Sequence, residues 1–125
     1  MATVLAIDDD ETILDVVQAI LSQQGYGVLR ATNTHDGLQI LKKEKVDAML
    51  LDVVMPGRGG LDFLMELRRD YPELPVIIMS GKIRTDMDPF KALALQFGAV
   101  CILAKPFSTE ELTDAISSIL ANRCD

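Results

Sequence analysis

The chain has 125 residues, the size of one ordinary domain, and only 5% of them are aromatic, so its core must be aliphatic. A formal net charge of -7 argues against a nucleic-acid surface, because phosphate contacts need clustered Lys and Arg. No stretch approaches the roughly 18 uninterrupted apolar residues of a membrane span, and no charged-then-apolar leader opens the chain. We therefore expect a single domain over residues 1–125, without membrane contact, in the cytoplasm.

Predicted strands and helices alternate along the whole chain. Five apolar runs have the length of buried strands, namely residues 3–7, 26–31, 48–51, 76–79 and 100–104. Each run is followed by a segment with apolar residues at helical spacing. Strands that are apolar on both faces belong in a parallel sheet covered by helices on both sides, so the pattern predicts an α/β domain of five βα units.

Capping residues indicate where the predicted helices begin and end. Gly25 is predicted to end the first helix in the C′ position, and Thr34 is predicted to cap the second. Asp88-Pro89 is typical of a helix start, with a cap followed by proline at the first helical position. Residues 108–111 have the composition of a capping box that begins the last helix.

Polar side chains follow several predicted strands at the carboxyl edge of the sheet, where open parallel sheets bind their ligands. The residues predicted to lie at this edge are Asp8, Asp9, Asp10, Asp52, Ser80 and Lys105. Each has an ordinary explanation when taken singly, and Asp10 is expected to cap the first helix. Taken together they predict a functional site, because carboxylates, a hydroxyl and an ammonium share one edge.

The clustered carboxylates indicate metal-dependent phosphoryl transfer. They repel one another and stay ionised only if a cation neutralises them. Hard oxygen ligands with open water positions favour Mg²⁺, which in turn recruits phosphate. An ionised Asp52 can then be the nucleophile, with Lys105 and Ser80 available to the phosphoryl oxygens.

The motif set resembles the receiver domain of two-component response regulators, of the chemotaxis-receiver type, whether stand-alone or cut from a longer regulator. The matching residues are Asp8-Asp9, Asp52 followed by Met55-Pro56, Ser80-Gly81, and Lys105-Pro106-Phe107. The resemblance covers essentially the whole chain. It implies a flavodoxin-like, doubly wound (βα)5 fold with five parallel strands in the order 2-1-3-4-5.

The resemblance also implies a role for each site residue. Asp52 would accept a phosphoryl group from a sensor histidine kinase or a histidine phosphotransfer protein. Lys105 would pair with Asp52 or with a phosphoryl oxygen, and Ser80 would hydrogen-bond that oxygen. The implied Mg²⁺ ligands are Asp9 directly, Asp8 through water, Asp52, and the backbone carbonyl of Val54. Such a domain is a phosphoacceptor with at most slow self-dephosphorylation, not an enzyme.

The sequence departs from the family pattern in two places, both in the part of the domain expected to pass the signal on. Ile102 stands where the family often has an aromatic residue, three before the lysine, and residues 80–98 are a few residues longer than is typical. Output toward an unknown protein target is expected through the surface of the fourth predicted helix, the fifth strand and the last helix. Since Ile102 has no ring to swing, we expect the fourth helix itself to shift.

Three alternatives share part of this pattern. A flavodoxin-like FMN binder needs a first βα turn that cradles phosphate, and the acids at residues 8–11 would repel one. A phosphatase of the haloacid dehalogenase type would carry a second Asp two residues after Asp52, where this chain has Val54. A binding module that no longer accepts phosphate is not favoured, because every required residue type is present.

The peptide bond between Lys105 and Pro106 is predicted to be cis. Lys105 must turn back over its strand end toward Asp52, and the family resemblance supports the same geometry. Only X–Pro bonds adopt cis at a low cost, about 0.5–1 kcal/mol.

Overall fold

The computed structural model contains a five-stranded parallel sheet with helices on both faces, and it describes residues 2–52, 60–80 and 99–123. The strands are β1 (Thr3–Ile7), β2 (Gly27–Ala31), β3 (Ala48–Asp52), β4 (Val76–Ser80) and β5 (Ala99–Ala104). The described helices are α1 (Glu11–Gln23), α2 (Thr34–Lys43), α3 (Gly60–Asp70) and α4 (Thr109–Arg123). The strand order is β2-β1-β3-β4-β5, and every neighbouring pair is parallel, which confirms the predicted flavodoxin-like arrangement.

Alternate residues of the central strands contribute to two separate hydrophobic cores. In β1, Leu5 and Ile7 belong to the core shared with α2 and α3, whereas Val4 and Ala6 belong to the core shared with α1 and α4. The same alternation continues in β3 and β4, whose apolar residues are fully buried. Because these strands are packed on both faces, the ends of β1 and β3 are held in fixed positions.

Local capping chemistry sets three of the helix ends as the sequence predicted. Asp10 caps α1, and its Oδ1 accepts the backbone N–H of Thr12 at 2.9 Å. Gly25, just beyond the C-cap of α1, has a φ of 89°, which side chains with a Cβ rarely adopt. Ser108 and Glu111 form a reciprocal capping box at α4, with distances of 2.9 and 3.0 Å.

The predicted cap of α2 is wrong by one residue. The cap is Asn33, whose side chain accepts the backbone N–H of Asp36 at 2.8 Å, and Thr34 is the first helical residue. Asn is at least as good an N-cap as Thr, so the choice depends on where the chain leaves β2. The helix predicted to begin at Asp88 lies outside the described residues.

Strand limits differ by one residue from the sequence prediction in four strands. β2 begins one residue later, β5 begins one residue earlier, and β3 and β4 each extend one residue further. The last two extensions take in Asp52 and Ser80, which lie opposite Met79 and Ala104 in the ladder. Backbone pairing does not depend on side-chain polarity, so an apolar run underestimates the length of a strand.

Arg68 closes the connection between α3 and β4. Its guanidinium donates to the carbonyl oxygen of Pro72 at 3.0 Å and to that of Leu74. Burial lowers the pKa of the Arg68 guanidinium below its ordinary value, although an arginine remains protonated throughout the physiological range. The start of β4 is thereby tied to the end of the preceding helix.

The described helices are short, and the longest of them, α4, has 15 residues. Within the part of the chain that the structure describes, no helix has the length and apolar character needed to cross a membrane.

Gly37 allows α2 to pack directly against β1. A Cβ at this position would overlap Cδ1 of Ile7, which is fully buried. We expect Gly37→Ala to lower the free energy of unfolding by about 1–2 kcal/mol, because overpacking outweighs the gain in helix propensity. Urea unfolding of both proteins measures this difference.

Ile7→Val removes the methyl group that a Cβ at Gly37 would meet, and it supplies the control. Alone it should lower the free energy of unfolding by about 1 kcal/mol. Combined with Gly37→Ala, it should cost less than the sum of the two single changes, by about 1 kcal/mol. Strictly additive losses would show that this contact does not limit the packing of α2.

Candidate functional site

The sheet places the ends of β1 and β3 side by side. Ile7 of β1 lies opposite Leu51 of β3, so Asp8 and Asp52 both come directly after this rung of the ladder. One carboxylate oxygen from each of Asp8, Asp9 and Asp52 lies within 4.8 Å of the other two. The structure thus brings together the three acids that the sequence predicted to share one site.

Two of the three acids are inside the protein. Asp8 is 0% exposed and Asp52 is 3% exposed, and among the described residues they are the buried polar or charged side chains. Asp9 is exposed at the edge of the cluster. Carboxylates are almost never buried unless they are paired or bind a metal, so this burial distinguishes the cluster from the acids of the surface.

Lys105 supplies positive charge to the cluster. Its Nζ lies 2.5 Å from Oδ2 of Asp8 and 3.6 Å from Oδ2 of Asp52, and its side chain is 15% exposed. It therefore donates a hydrogen bond to Asp8 and makes a longer electrostatic contact with Asp52. Sequence reasoning named only Asp52 as the protein partner and missed the shorter contact. The expected strand order places Asp8 beside Asp52, and this adjacency indicates that a lysine near Asp52 can also reach Asp8.

The Lys105-Pro106 peptide bond is cis, which confirms the prediction. The backbone of Ser80 ends β4 and lies opposite Ala104, the residue before Lys105. The side chain of Ser80 lies outside the described part of the structure. The same holds for Val54, whose carbonyl the resemblance assigned to the metal, and for the rest of residues 53–59.

Asp8 makes three hydrogen bonds, one through its backbone and two through its carboxylate. Its backbone N–H donates to the carbonyl oxygen of Ala31 at 3.1 Å, which extends the pairing of β1 with β2. Its Oδ1 accepts the backbone N–H of Asp10 at 2.9 Å, and its Oδ2 accepts the Lys105 ammonium. Both oxygens of this buried carboxylate are thus satisfied, and the carboxylate plane is fixed.

The charge and spacing of the cluster fit one small divalent cation. Among the described residues, the three carboxylates and the Lys105 ammonium together carry two net negative charges. Mg²⁺ prefers hard oxygen ligands in an octahedron, where opposite ligands lie about 4 Å apart. Oxygens within 4.8 Å of one another can therefore approach the same ion. The donor set agrees with the Mg²⁺ site that the sequence predicted.

Comparison with known proteins identifies the family. The sequence profile described as the response regulator receiver domain matches residues 4–117. The chain belongs to this family. Membership as a receiver domain of a two-component response regulator implies phosphoacceptor signalling and interaction with a histidine kinase or phosphotransfer partner.

Solved structures of similar proteins show the same receiver fold. A response regulator receiver domain protein from Clostridium thermocellum is 33% identical, with a TM-score of 0.88, over 98% of this chain and 97% of that one. A CheY-like receiver domain protein from Methanospirillum hungatei is 26% identical, with a TM-score of 0.89, over 98% and 96% of the two chains. NtrX from Brucella abortus is 28% identical, with a TM-score of 0.88, over 98% of this chain but 27% of the NtrX chain.

The family assignment also bears on the alternatives. An FMN binder and a haloacid dehalogenase phosphatase have related topologies but belong to other families, so neither is supported. Asp8, Asp9 and Asp52, which the resemblance matches to the family motif, lie together in the structure.

The local charge balance predicts how single changes affect the stability of the metal-free receiver domain. Asp9→Asn removes one carboxylate close to two buried ones, so it should raise the melting temperature in EDTA while weakening Mg²⁺ binding.

Lys105→Met removes the ammonium that contacts Asp8 and Asp52. It should lower the free energy of unfolding in EDTA by about 3 kcal/mol, because it leaves buried charge uncompensated.

Surface changes of the same kind provide the controls. Asp114→Asn and Lys45→Met remove one charge each from exposed positions outside the cluster, and both should change the free energy of unfolding by less than about 0.5 kcal/mol. If Asp9→Asn melts in EDTA at or below the unmodified protein, the three acids do not repel one another as inferred.

Proposed function

We propose that this receiver domain transmits a signal by accepting a phosphoryl group on Asp52 from a phosphohistidine. The donor would be a sensor histidine kinase or a histidine phosphotransfer protein in the cytoplasm. The main support for this proposal is the position of the Asp52 carboxylate. It is buried, 3.6 Å from the Lys105 ammonium, and within 4.8 Å of the carboxylates of Asp8 and Asp9.

The transfer exchanges one bond to phosphorus for another. The P–N bond of the phosphohistidine breaks, and its electron pair returns to the imidazole nitrogen. A carboxylate oxygen of Asp52 supplies the electron pair of the new P–O bond, which gives an acyl phosphate. Phosphoryl transfer needs little covalent chemistry from the protein, so the rate depends on positioning and on positive charge around the equatorial oxygens.

The acids of the cluster would hold Mg²⁺ in different ways. Asp9 is exposed and suits direct coordination, together with Asp52 and, by the family resemblance, the carbonyl of Val54. Asp8 has both oxygens engaged by Asp10 and Lys105, which suits an interaction through water. When bound, the ion supplies positive charge that offsets both the carboxylates and the phosphoryl oxygens.

Lys105 and Ser80 are proposed to stabilise the phosphorylated form. The Lys105 ammonium already lies within 3.6 Å of Asp52, so a phosphoryl oxygen added there would come within its reach. The hydroxyl of Ser80 would donate a hydrogen bond to another phosphoryl oxygen, and such charge-assisted bonds are roughly twice as strong as neutral ones. We propose a phosphoacceptor with at most slow self-dephosphorylation, not an enzyme.

Phosphorylation by a small-molecule donor tests the role of Asp52. Incubation with acetyl phosphate and Mg²⁺ should add one hydroxylamine-labile phosphoryl group to the unmodified protein, detected by intact mass. Asp52→Asn should add none, because the amide lacks the nucleophilic oxygen. Asp114→Asn, at an exposed position on α4, is the matched control and should be phosphorylated normally. Uptake by Asp52→Asn at the normal rate would assign the phosphoryl group elsewhere.

We also propose that the signal is passed to a target protein through a surface of three elements. These are β5, the last helix α4, and the helix predicted to start at Asp88-Pro89. Ile102 of β5 lies opposite Ile78 and is partly buried against the core of α2 and α3. It therefore connects the β4–β5 edge to the interior. A branched aliphatic side chain cannot rotate like a ring into the space that an inward-moving Ser80 hydroxyl would leave. We propose that a shift of the helix predicted to start at Asp88-Pro89 fills this space instead.

Amide chemical shifts test this output route. Beryllofluoride with Mg²⁺ imitates the phosphoryl group, and its addition should change the amide shifts of Ile102 and of residues 90–97. Asp52→Asn is the control and should show no such change on the same addition. Changes confined to the residues beside Asp52 would contradict the proposed route.

A further inference from the structure

We propose that Asp10 is a positioning residue of this site. By capping α1, it fixes the backbone N–H that orients the Asp8 carboxylate, and so it sets the Mg²⁺ affinity without touching the ion. The inference rests on the proposed Mg²⁺ site and assigns a task to the third acid of the run, which the cluster itself does not include.

Asp10 makes hydrogen bonds in two directions. Toward the helix, its Oδ1 accepts the N–H of Thr12 at 2.9 Å, and its carbonyl oxygen accepts the N–H groups of Ile13 at 3.1 Å and Leu14 at 3.3 Å. Toward the site, its own N–H donates to Oδ1 of Asp8 at 2.9 Å. The first turn of α1 therefore fixes the direction of an N–H group that ends on a carboxylate of the cluster.

Asp8 depends on this donor because it is fully buried. Its other oxygen is taken by Lys105, and water cannot readily replace a lost donor at a buried carboxylate. Asp9 lies between Asp8 and Asp10 in the chain, so both of its neighbours are held by the same contact. A change in the backbone direction of Asp10 would reach both acids.

The helix that Asp10 caps is itself a fixed reference. Leu14 and Val17 bury one face of α1 in the core. On the other side, the guanidinium of Arg30 on β2 bonds Asp15 at 2.7 Å and Gln18 at 2.9 Å. Since α1 is held against the sheet, loss of the cap would loosen its first turn locally and leave the rest of the helix in place.

Three substitutions of Asp10 separate the cap from its charge. Asp10→Ala removes both, whereas Asp10→Asn and Asp10→Ser remove the charge and keep a capping oxygen. Isothermal titration with Mg²⁺, at about 0.15 M salt to screen long-range charge, should show about tenfold weaker binding for Asp10→Ala. Asp10→Asn and Asp10→Ser should stay within about twofold of the unmodified protein, because the cap is retained.

Asn33→Ala supplies the matched control. It removes the N-cap of α2, which accepts the N–H of Asp36, a contact separate from the three acids of the site. It should lower the melting temperature about as much as Asp10→Ala does and leave the Mg²⁺ affinity unchanged. General destabilisation is thereby separated from positioning.

A second readout works without metal. In EDTA, the amide proton shift of Asp10 and the carboxyl carbon shift of Asp8 should change in Asp10→Ala and be restored in Asp10→Asn and Asp10→Ser. This result would support the cap as the cause of the effect on affinity.

Several results would contradict a positioning role for Asp10. Equal weakening in all three Asp10 variants would make the charge responsible, and complete loss in all three would make Asp10 a ligand. Either result, or unchanged affinity in Asp10→Ala, overturns the proposal. Absence of Mg²⁺ binding by the unmodified protein would overturn the metal site of the proposed function together with the effect on affinity.

Discussion

Two carboxylates, those of Asp8 and Asp52, are buried side by side at the ends of β1 and β3, and the repulsion between them governs the site. Like charges removed from water repel strongly unless a cation and hydrogen-bond donors compensate them. Lys105 supplies the cation, and the backbone of Asp10 supplies a donor. The sheet holds the two acids together because β1 and β3 are packed between helices on both faces.

Within the described part of the chain, the site has more negative than positive charge. The ammonium of Lys105 balances one of the three carboxylates, and the remaining charge matches that of one divalent ion. The proposed metal binding and phosphorylation would therefore act on a cluster whose charges are already in place, so little reorganisation would be needed when the ligand arrives. By the same reasoning, we expect these charges to lower the stability of the metal-free protein.

The fold also places the site residues on two kinds of strand, central and edge. Asp8 follows β1 and Asp52 ends β3, two central strands with a core on each face, whereas Lys105 follows β5, at the edge of the sheet. One side chain thus connects the edge strand to the acids of the centre. Because Lys105 lies 3.6 Å from Asp52, we expect a change of charge at Asp52 to alter the contacts of Lys105 at the end of β5.

The sequence by itself determined the alternation of strands and helices, the family, the caps at Asp10, Gly25 and Ser108, and the acids expected at one edge. These features depend on residues close together in the chain, such as apolar spacing and the side chain beside a helix end. Only the tertiary structure decided that Lys105 bonds Asp8 more closely than Asp52, a contact between residues 97 positions apart. It also decided that Asn33 caps α2, because the path of the chain out of β2 selects between two suitable neighbours. Both depend on the order and packing of strands, which no local pattern of residues fixes.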